Sequence, residues 1–282
     1  MNISLPDLLI CIVVYENKVT DCETFISLNR VLSNETAVLD VLVYDNSRLP
    51  DNEVSSYNIK YPKLNFKYIH NKNNPGLGIA YNEAATIAKS LKKGFLCFFD
   101  QDSNIPKDYF TVAIASVFMN PTINLFSPIV ISDKIIISPS SFFFGRSWVK
   151  NKREVGVLTT KNHSIINSGS IIRLAEFNKL GGYEPSLPLD FSDHYFFYKY
   201  KQGNSLFFTM PIYLEHNLST FFDKDYNKVF KRFTIYCEAA VFFAKNTKNS
   251  SAIFWAFLHS VKLSFVYRRS TFIKHALSIL KK

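Results

Sequence analysis

The chain has 282 residues, of which 47% are hydrophobic and 20% are charged. This composition excludes a disordered chain, and the length suffices for one large domain or for one domain with an appendage. With 9 glycines and 11 prolines, the chain is neither collagen-like nor of low complexity. Its 27 Phe and 15 Tyr residues predict a core packed largely by aromatic side chains.

The net charge of +10 is concentrated at the C-terminal end of the chain. Residues 223–282 contain 12 Lys or Arg and 3 Asp or Glu, whereas residues 1–222 contain 21 and 20. A basic tail on a nearly neutral body indicates an anionic partner, such as a membrane leaflet or a nucleic acid.

The cysteine pattern and the apolar runs predict a cytoplasmic protein. Cys11, Cys22, Cys97 and Cys237 have no C-x-x-C spacing, so we interpret them as buried thiols of a reducing compartment. The N-terminus lacks the basic region of a signal peptide, and no stretch reaches about 18 uninterrupted apolar residues.

The first half of the chain alternates between predicted strands and predicted helices. Short apolar runs predict buried strands over residues 8–15, 39–44, 64–70 and 94–99. Helical spacing predicts helices over residues 20–32 and 78–91, and a third from about Pro106. This alternation predicts an α/β fold with a doubly wound sheet, in which ligands gather at the carboxyl ends of the strands.

The second half is less regular, and it leads into a helical tail. We predict short strands over residues 129–132 and 135–138, a strand over 165–172, a helix over 190–201 and an extended segment over 205–214. Two long helices are predicted from about Asp225, and they carry the basic excess. This pattern divides the chain into a body, residues 1–222, and a basic amphipathic helical tail, residues 223–282.

Polar residues follow each of the first four predicted strands, at one common edge of the sheet. The clearest signal is Asp100-Gln101-Asp102-Ser103, in which two carboxylates follow a buried strand. An Asp-x-Asp sequence alone is usually a solvated turn, but in this position it favours a site for Mg²⁺ or Mn²⁺. Such an ion neutralises the charge that develops on a departing diphosphate.

Two further segments along this edge are suited to a nucleotide. Asp45 could accept a hydrogen bond from the ring N–H of uracil or thymine, although an Asx turn explains an Asp at this position equally well. Gly76 and Gly78 begin a helix, and glycines at a helix N-terminus permit close approach of an anion. A dinucleotide fingerprint is disfavoured, because Tyr81 occupies its third glycine position and the loop follows the third strand.

Together these residues resemble a known family. Tyr15, the triplet Asp45-Asn46-Ser47, the Asn74…Gly76…Gly78…Asn82 loop and Asp100/Asp102 look like the ordered motifs of the family 2 inverting glycosyltransferases. The resemblance continues through Asn167-Ser168-Gly169-Ser170 and Asp190–Asp193 to Glu215-His216, and it covers about residues 8–220. The sequence Asp100-Gln101-Asp102-Ser103 is similar to the rhamnosyltransferase branch, which uses dTDP-L-rhamnose.

This resemblance implies a GT-A-like fold, a doubly wound mixed sheet flanked by helices, with the basic helical tail as an appendage. Residues 1–104 would bind the nucleotide sugar and residues 105–222 the acceptor. It also implies a role for individual residues. The donor contacts would be Tyr15, Asp45, Asn74, Gly76, Asn82 and Asp100; the metal ligands Asp100, Asp102 and His216; the catalytic base Asp193, with Asp190 as the alternative; and the acceptor-side residues Ser168 and Gly169.

The implied function is transfer of a sugar, L-rhamnose from dTDP-L-rhamnose, onto a lipid-linked glycan. The product would be a bacterial surface polysaccharide, O-antigen or capsule, and the reaction a single displacement assisted by Mg²⁺ or Mn²⁺. The alternative donors are a UDP-hexose and UDP-galactofuranose. The enzyme would lie peripherally on the inner face of the plasma membrane.

Other classes of protein fit the sequence less well. A nucleic-acid-binding protein could use the basic tail, but the body is neutral and its polar clusters are acidic. A nucleotidyltransferase of similar fold would carry a glycine-rich basic loop after the first strand, where this chain has Tyr15-Glu16-Asn17-Lys18. The tail could lie in a membrane interface or pack on the body as an ordinary amphipathic helix, and the sequence leaves both open.

Overall fold

The structure is a computed structural model that describes residues 4–33, 37–149, 153–216 and 225–280. Its strands are β1 (Leu8–Val14), β2 (Leu39–Asp45), β3 (Leu64–His70), β4 (Phe95–Asp100), β5 (Ser103–Asn104), β6 (Leu125–Ser132), β7 (Ile135–Ser138), β8 (Ser140–Phe143), β9 (Arg146–Trp148), β10 (Gly156–Thr159), β11 (His163–Ser164), β12 (Ser170–Arg173) and β13 (Leu206–His216). Its α-helices are α1 (Glu23–Leu32), α2 (Tyr57–Lys60), α3 (Leu77–Ser90), α4 (Tyr109–Met119), α5 (Leu174–Lys179), α6 (Ser192–Gly203), α7 (Tyr226–Thr247), α8 (Ser251–Val266) and α9 (Thr271–Leu280).

A mixed sheet forms the centre of the body, with the order β10-β13-β6-β12-β4-β1-β2-β3. Strands β3, β2, β1 and β4 are parallel, whereas β12 runs antiparallel to both β4 and β6. Strand β13 runs parallel to β6, and it also pairs with the short strand β5. The predicted mixed α/β sheet is therefore confirmed, and β3 has the predicted bounds.

Helices cover both faces of this sheet, which explains why its central strands are continuous apolar runs. All seven residues of β1 are buried. Leu8, Ile10 and Ile12 pack into one core cluster, and Leu9 and Cys11 pack into the cluster on the opposite face. All four cysteines are buried and form no disulfide, as predicted.

The structure corrects two of the predicted elements. The strand predicted over residues 165–172 begins only at Ser170, because Asn167 to Gly169 form a turn with Gly169 at a φ of +72°. The helical tail contains a third helix, since the chain leaves the helical conformation at Arg268, which has a φ of +51°.

The tail helices α7, α8 and α9 have a core cluster of their own. Small and aromatic side chains form it, including Phe233, Ala240 and Phe243, and Phe142, Phe191 and Tyr195 of the body pack against it. The boundary predicted at residue 222 lies outside the described residues. Within the described part of the chain, no helix is both long and apolar enough to cross a membrane.

The start of α3 packs tightly against the segment that precedes α6. Gly76 has a φ of +97°, and a Cβ atom there would lie 2.4 Å from the Cα and carbonyl oxygen of Pro188. The Leu77 N–H donates to that same carbonyl oxygen over 2.9 Å. Any larger side chain at residue 76 would therefore force two backbone segments apart.

We expect Gly76→Ala to lower the free energy of unfolding by at least about 2 kcal/mol, because it adds a steric overlap to an unfavourable φ. Gly94→Ala is the matched control, since a Cβ atom at residue 94 has no neighbour within 4 Å. Urea denaturation of both variants measures the difference. Equal stability of the two would contradict the packing described for Gly76.

Candidate active site

The carboxyl ends of the parallel strands bring the predicted polar residues to one edge of the sheet. In the register of the sheet, Asp45 of β2 lies opposite Val14 of β1, and Asp100 of β4 lies opposite Val13. The two aspartates thus end the strands on either side of β1. The Tyr15 N–H donates to the Gln101 side-chain oxygen over 2.8 Å, which joins the end of β1 to the Asp-x-Asp turn.

His216 reaches this edge from the far end of the chain because β13 pairs with β5, with His216 opposite Ser103. Its Nδ1 atom lies 3.4 Å from Oδ1 of Asp102, and its Nε2 atom lies 3.9 Å from Oδ2 of Asp100. Ligand atoms of these three residues all lie within 4.8 Å of one another. The three predicted metal ligands are therefore together.

This cluster suits a divalent cation. Two carboxylates and one imidazole converge on one point, and burial raises the pKa of both Asp100 and Asp102, an effect that the neighbouring His216 opposes. Side-chain oxygens close to the surface and arranged in this way are ligands that Mg²⁺ and Mn²⁺ accept. Ser103 forms a 3.0 Å hydrogen bond with His216 Nδ1, which fixes the orientation of the ring.

Thr24 holds the Asp-x-Asp turn in place from helix α1. Its hydroxyl donates to the carbonyl oxygen of Asp100 and accepts from the Ser103 N–H over 2.9 Å. The Thr24 N–H also donates to the Gln101 carbonyl oxygen over 3.2 Å. One buried threonine thus holds the backbone of Asp100, Gln101 and Ser103.

A buried hydrogen-bond chain connects the metal-ligand cluster to Asp193. Tyr81 donates from its hydroxyl to Oδ1 of Asp100 over 3.2 Å, and the Asn167 amide donates to that same hydroxyl. The Asn167 backbone N–H donates to Oδ2 of Asp193 over 3.2 Å. Asp193 is therefore oriented by the residues that orient Asp100.

Asp193 lies in the first turn of α6, but it does not cap that helix. The N-cap residue is Phe191, and no side-chain capping bond is present. Oδ1 of Asp193 is buried without a hydrogen-bond partner, and burial together with the charge of Asp100 raises the pKa of Asp193 to about 8. A carboxylate with a free oxygen and a raised pKa is suited to accept a proton from a substrate hydroxyl.

Asp190, the alternative base, has a different partner. Its Oδ1 atom forms an ion pair with Nη2 of Arg232 on α7 at 2.8 Å. This pair connects the segment before α6 to the tail. The geometry therefore favours Asp193 over Asp190 as the base, and the assignment stays a prediction.

His194, which directly follows Asp193, is unsuited to proton transfer. Its Nδ1 atom lies 2.7 Å from the Ser164 hydroxyl, and its Nε2 atom lies 3.2 Å from the Ser147 hydroxyl. Burial lowers the pKa of His194 to about 4, so the ring is neutral at pH 7. Its two hydrogen bonds give it a structural role between α6 and strands β9 and β11.

The residues predicted to contact the donor lie along the same edge. They differ in how exposed they are and in the hydrogen bonds that their side chains already make. The Tyr15 side chain is 50% exposed and available for stacking. Asp45 is buried, and its two carboxylate oxygens accept from the Ser47 N–H at 2.8 Å and the Tyr68 hydroxyl at 2.5 Å. This is the Asx turn that the sequence left open; each oxygen can accept a second bond, so base recognition stays a prediction. Asn74 is exposed, with a φ of +45°.

Two of the predicted donor-contact residues also have partners within the fold, and their contact with the donor stays a prediction. Gly76 is needed where Pro188 approaches α3, as described above. The Asn82 side chain donates to the Tyr183 carbonyl oxygen over 2.9 Å and accepts from the Tyr183 N–H over 2.8 Å. Both polar atoms of the Asn82 side chain therefore make hydrogen bonds within the fold, and Gly76 permits the close approach of the Pro188 backbone.

The acceptor-side assignment of Ser168 and Gly169 requires correction. Ser168 is fully buried behind the metal-ligand cluster, where its hydroxyl lies 2.5 Å from the Ser103 hydroxyl. Gly169 faces the core, since a Cβ atom there would lie 2.7 Å from Leu214 and 2.8 Å from Pro128. In this position neither residue is accessible to an acceptor, and both support the cluster from within.

Comparisons with known proteins decide the class of this site. Residues 10–181 match the family described as Glycosyl transferase family 2. The chain belongs to this family. The metal-ligand cluster and Asp193 are therefore the candidate active site of a glycosyltransferase, and the family match favours this class over the nucleic-acid-binding and nucleotidyltransferase alternatives. No curated protein matches the sequence.

Solved structures similar to this chain have the GT-A fold. A crystal structure of TarS from S. aureus is 18% identical with a TM-score of 0.56, over 84% of this chain and 39% of that one. GalNAc-T7 with UDP, GalNAc and Mn²⁺ is 14% identical with a TM-score of 0.61, over 88% and 51%. The mannosyltransferase PcManGT from Pyrobaculum calidifontis, in complex with GDP-Man and Mn²⁺, is 13% identical with a TM-score of 0.55, over 98% and 74%. At these identities the likeness concerns the fold, and the chain spans about two fifths of that TarS structure.

We expect Tyr81→Phe to weaken Mn²⁺ binding by about tenfold, because the variant removes the hydrogen bond that orients Asp100. Tyr57→Phe is the matched control, since the Tyr57 hydroxyl donates over 2.8 Å to Asp51, away from the cluster. Titration calorimetry with Mn²⁺ alone measures both variants. Equal affinities would show that Tyr81 does not support the metal ligands.

We expect Asp193→Asn to stabilise the metal-free protein near pH 7.5. Because the pKa of Asp193 is about 8 in the folded protein, the folded state holds a proton that the unfolded chain releases above about pH 4. The free energy of unfolding therefore falls as the pH rises between these two values, and asparagine removes this loss. Thermal unfolding in EDTA should show a higher Tm for the variant, with the difference growing from pH 5 to pH 8. A difference independent of pH would contradict the raised pKa.

Proposed function

We propose that this protein is an inverting glycosyltransferase that uses a nucleotide diphosphate sugar and a divalent cation. The observation that carries this proposal is the convergence of Asp100, Asp102 and His216 at the edge of the sheet, with Asp193 joined to them through Asn167 and Tyr81. The structural neighbours support a nucleotide sugar as donor, since their structures contain UDP, UDP-GlcNAc or GDP-Man.

The proposed reaction is a single displacement. The acceptor hydroxyl gives its proton to Oδ1 of Asp193, and its oxygen forms the new bond to the anomeric carbon. The bond from that carbon to the diphosphate breaks on the opposite side, so the anomeric configuration inverts. Since the charge of Asp100 contributes to the raised pKa of Asp193, compensation of that charge favours the ionised base.

The residues that would hold the cation are Asp100, Asp102 and His216. When bound there, Mg²⁺ or Mn²⁺ supplies positive charge to the departing diphosphate. Asp100 is held by Tyr81, and His216 by Ser103, so the side chains are oriented before the substrate arrives. In this proposal the exposed Tyr15 ring stacks on the base of the nucleotide, with Asp45 at the neighbouring strand end.

The proposed donor is dTDP-L-rhamnose, on the resemblance of Asp100-Gln101-Asp102-Ser103 to the rhamnosyltransferase branch. A UDP-hexose or UDP-galactofuranose is the alternative. The proposed acceptor is a lipid-linked glycan of a bacterial surface polysaccharide. The basic tail supports this acceptor, because it favours residence at the inner face of an anionic plasma membrane.

A screen of nucleotide sugars tests the proposal. We expect dTDP-L-rhamnose to raise the Tm in the presence of Mn²⁺ or Mg²⁺ and to do so much less in EDTA. UDP-glucose, UDP-galactofuranose and GDP-mannose are the comparisons. A shift with a UDP sugar instead would change the donor and keep the reaction class, whereas no metal-dependent shift with any sugar would contradict the proposal.

Three variants then separate the roles of the carboxylates. Asp102→Asn should abolish the metal-dependent part of the shift, and Asp193→Asn should retain it. Slow hydrolysis of the bound donor, measured as released nucleotide, should fall by at least about a hundredfold in Asp193→Asn. If Asp190→Asn causes this loss and Asp193→Asn does not, the base is misassigned.

A further inference from the structure

An exposed apolar surface extends from the β8–β9 hairpin onto helix α8. We call it the aromatic face, and its members are Phe143, Phe144, Trp148, Phe254, Leu258 and Phe265. Phe265 is 85% exposed and Phe143 is 69% exposed. Apolar side chains exposed this far and grouped on neighbouring elements indicate a surface that meets another apolar phase.

The hairpin and α8 are fixed to each other, so the aromatic face is one surface. The Trp255 ring N–H donates to the Phe144 carbonyl oxygen over 2.7 Å. Gly145 has a φ of +67°, and a Cβ atom there would lie 2.7 Å from the Ala252 backbone nitrogen, at the start of α8. The rings of Phe144 and Phe254 are in contact, with their centroids 6.1 Å apart.

Packing within the fold does not account for the outward side chains of α8. Its inward stripe consists of small residues with helical spacing, Ala252, Ala256, Ser260 and Ser264, all of which are buried. The outward stripe is Phe254, Leu258, Val261 and Phe265, and each of these is exposed. Ile253 and Leu263 also pack, partly buried, against the tail core. The solvent side of α8 nevertheless carries large apolar residues where an amphipathic helix usually carries polar ones.

The charge around the aromatic face has one sign. Residues 135–153 and 239–282 contain no Asp or Glu. The Arg146 guanidinium lies 5.2 Å from the Trp148 ring centroid and 4.8 Å from that of Trp255. Lys262 and Arg269 are exposed. Helical spacing places Lys262 beside Leu258 on α8, whereas Arg269 follows the end of α8, with its guanidinium 4.4 Å from the Tyr226 ring centroid. Cations interleaved with aromatic rings match a surface of anionic headgroups over hydrocarbon.

We propose that the aromatic face docks this protein onto an anionic lipid bilayer, with the hairpin tip and α8 entering the interface together. Phe143, Phe254 and Phe265 would bury their rings at the boundary of headgroups and acyl chains, and Lys262 and Arg269 would contact lipid phosphates. A symmetric dimer through this face would bring like charges together, which disfavours a second copy as the occupant. Only the identity of the acceptor rests on the proposed function.

The β8–β9 hairpin, which carries part of the aromatic face, also contacts the residue that follows the candidate base. Phe142 of the hairpin contacts His194, with ring centroids 4.9 Å apart, and His194 follows Asp193 directly. Phe142 also contacts Phe243 of α7. Docking through this surface would therefore hold the base close to the membrane, where the sugar of a lipid-linked acceptor is found.

Vesicle binding tests the proposal with the full chain. We expect the protein to sediment with phosphatidylcholine vesicles that contain phosphatidylglycerol, and much less with phosphatidylcholine alone or at high salt. The double variant Phe143→Ser/Phe265→Ser should bind at least about tenfold more weakly than the parent protein. Its matched control is Ile59→Ser/Met119→Ser, which changes two residues that are 84% and 76% exposed on other parts of the body. The control should bind like the parent protein.

Fluorescence gives a second measurement, since the only two tryptophans of the chain, Trp148 and Trp255, lie at this surface. Their emission should shift to the blue on anionic vesicles, and brominated lipids should quench it. The variant Lys262→Glu/Arg269→Glu should lose vesicle binding as well. This variant tests the docking proposal independently if the phenylalanine variant unfolds. Metal-dependent donor binding should be unchanged in both variants, so a failure of docking is distinct from a failure of the proposed function.

Three results would overturn the proposal: equal binding of the phenylalanine variant and its control, equal binding to neutral and anionic vesicles, or a blue shift absent on all vesicles. If light scattering shows that the parent protein is a dimer and that the phenylalanine variant is a monomer, the aromatic face mediates self-association instead.

Discussion

The pairing of β5 with the end of β13 is the contact on which the candidate active site depends. β5 contains only two residues, yet it places Ser103 opposite His216, more than a hundred positions along the chain. Without this pairing, Asp100 and Asp102 would be two acidic residues at a turn. With it, they share a point with an imidazole, and Ser103 and Ser168 fill the space behind them. Two β-bridges thus convert a local sequence into a three-ligand cluster.

Electrostatics then connect this cluster to the base. Asp100 and Asp193 are two carboxylates in one partly buried region, and each disfavours the ionisation of the other. Asn167 holds both through separate groups, with its backbone N–H on Asp193 and its amide on Tyr81, which in turn binds Asp100. Binding of a cation on one side and proton transfer on the other are therefore coupled by charge as well as by geometry. With a cation bound, the charge of Asp100 would be compensated, and the raised pKa of the candidate base Asp193 would fall.

The sequence was most informative where local composition determines structure. Continuous apolar runs predicted the four parallel strands, and the carboxyl-end rule placed Asp45 and Asp100 on one edge. The sequence is less informative where a residue has a distant partner. Asn82 hydrogen-bonds to Tyr183, 101 positions away, and Gly76 accommodates Pro188. Residue type alone does not reveal these partners, and the predicted donor contacts of both residues stay predictions.

Residues with no chemical signature in the sequence were missed altogether. Thr24 lies within an ordinary amphipathic helix, and only the fold reveals that it clamps the Asp-x-Asp turn. In the sequence Tyr81 stands out only as a departure from a glycine motif, although its hydroxyl donates to the candidate metal ligand Asp100. Ser168 and Gly169 were recognised as part of a motif, but their burial, which reverses their assigned role, depends on how β12 packs between β4 and β6.

The ion pair between Asp190 and Arg232 ties the C-terminal region to the loop that precedes the candidate base. Arg232 belongs to α7, whereas Asp190 lies three residues before the candidate base. A truncation that removes α7 would strand a buried carboxylate beside Asp193 and disturb the loop that carries it. Truncated forms of this protein should therefore end after α7. If a shorter form lost activity, displacement of this loop would explain the loss as well as the absence of membrane docking would.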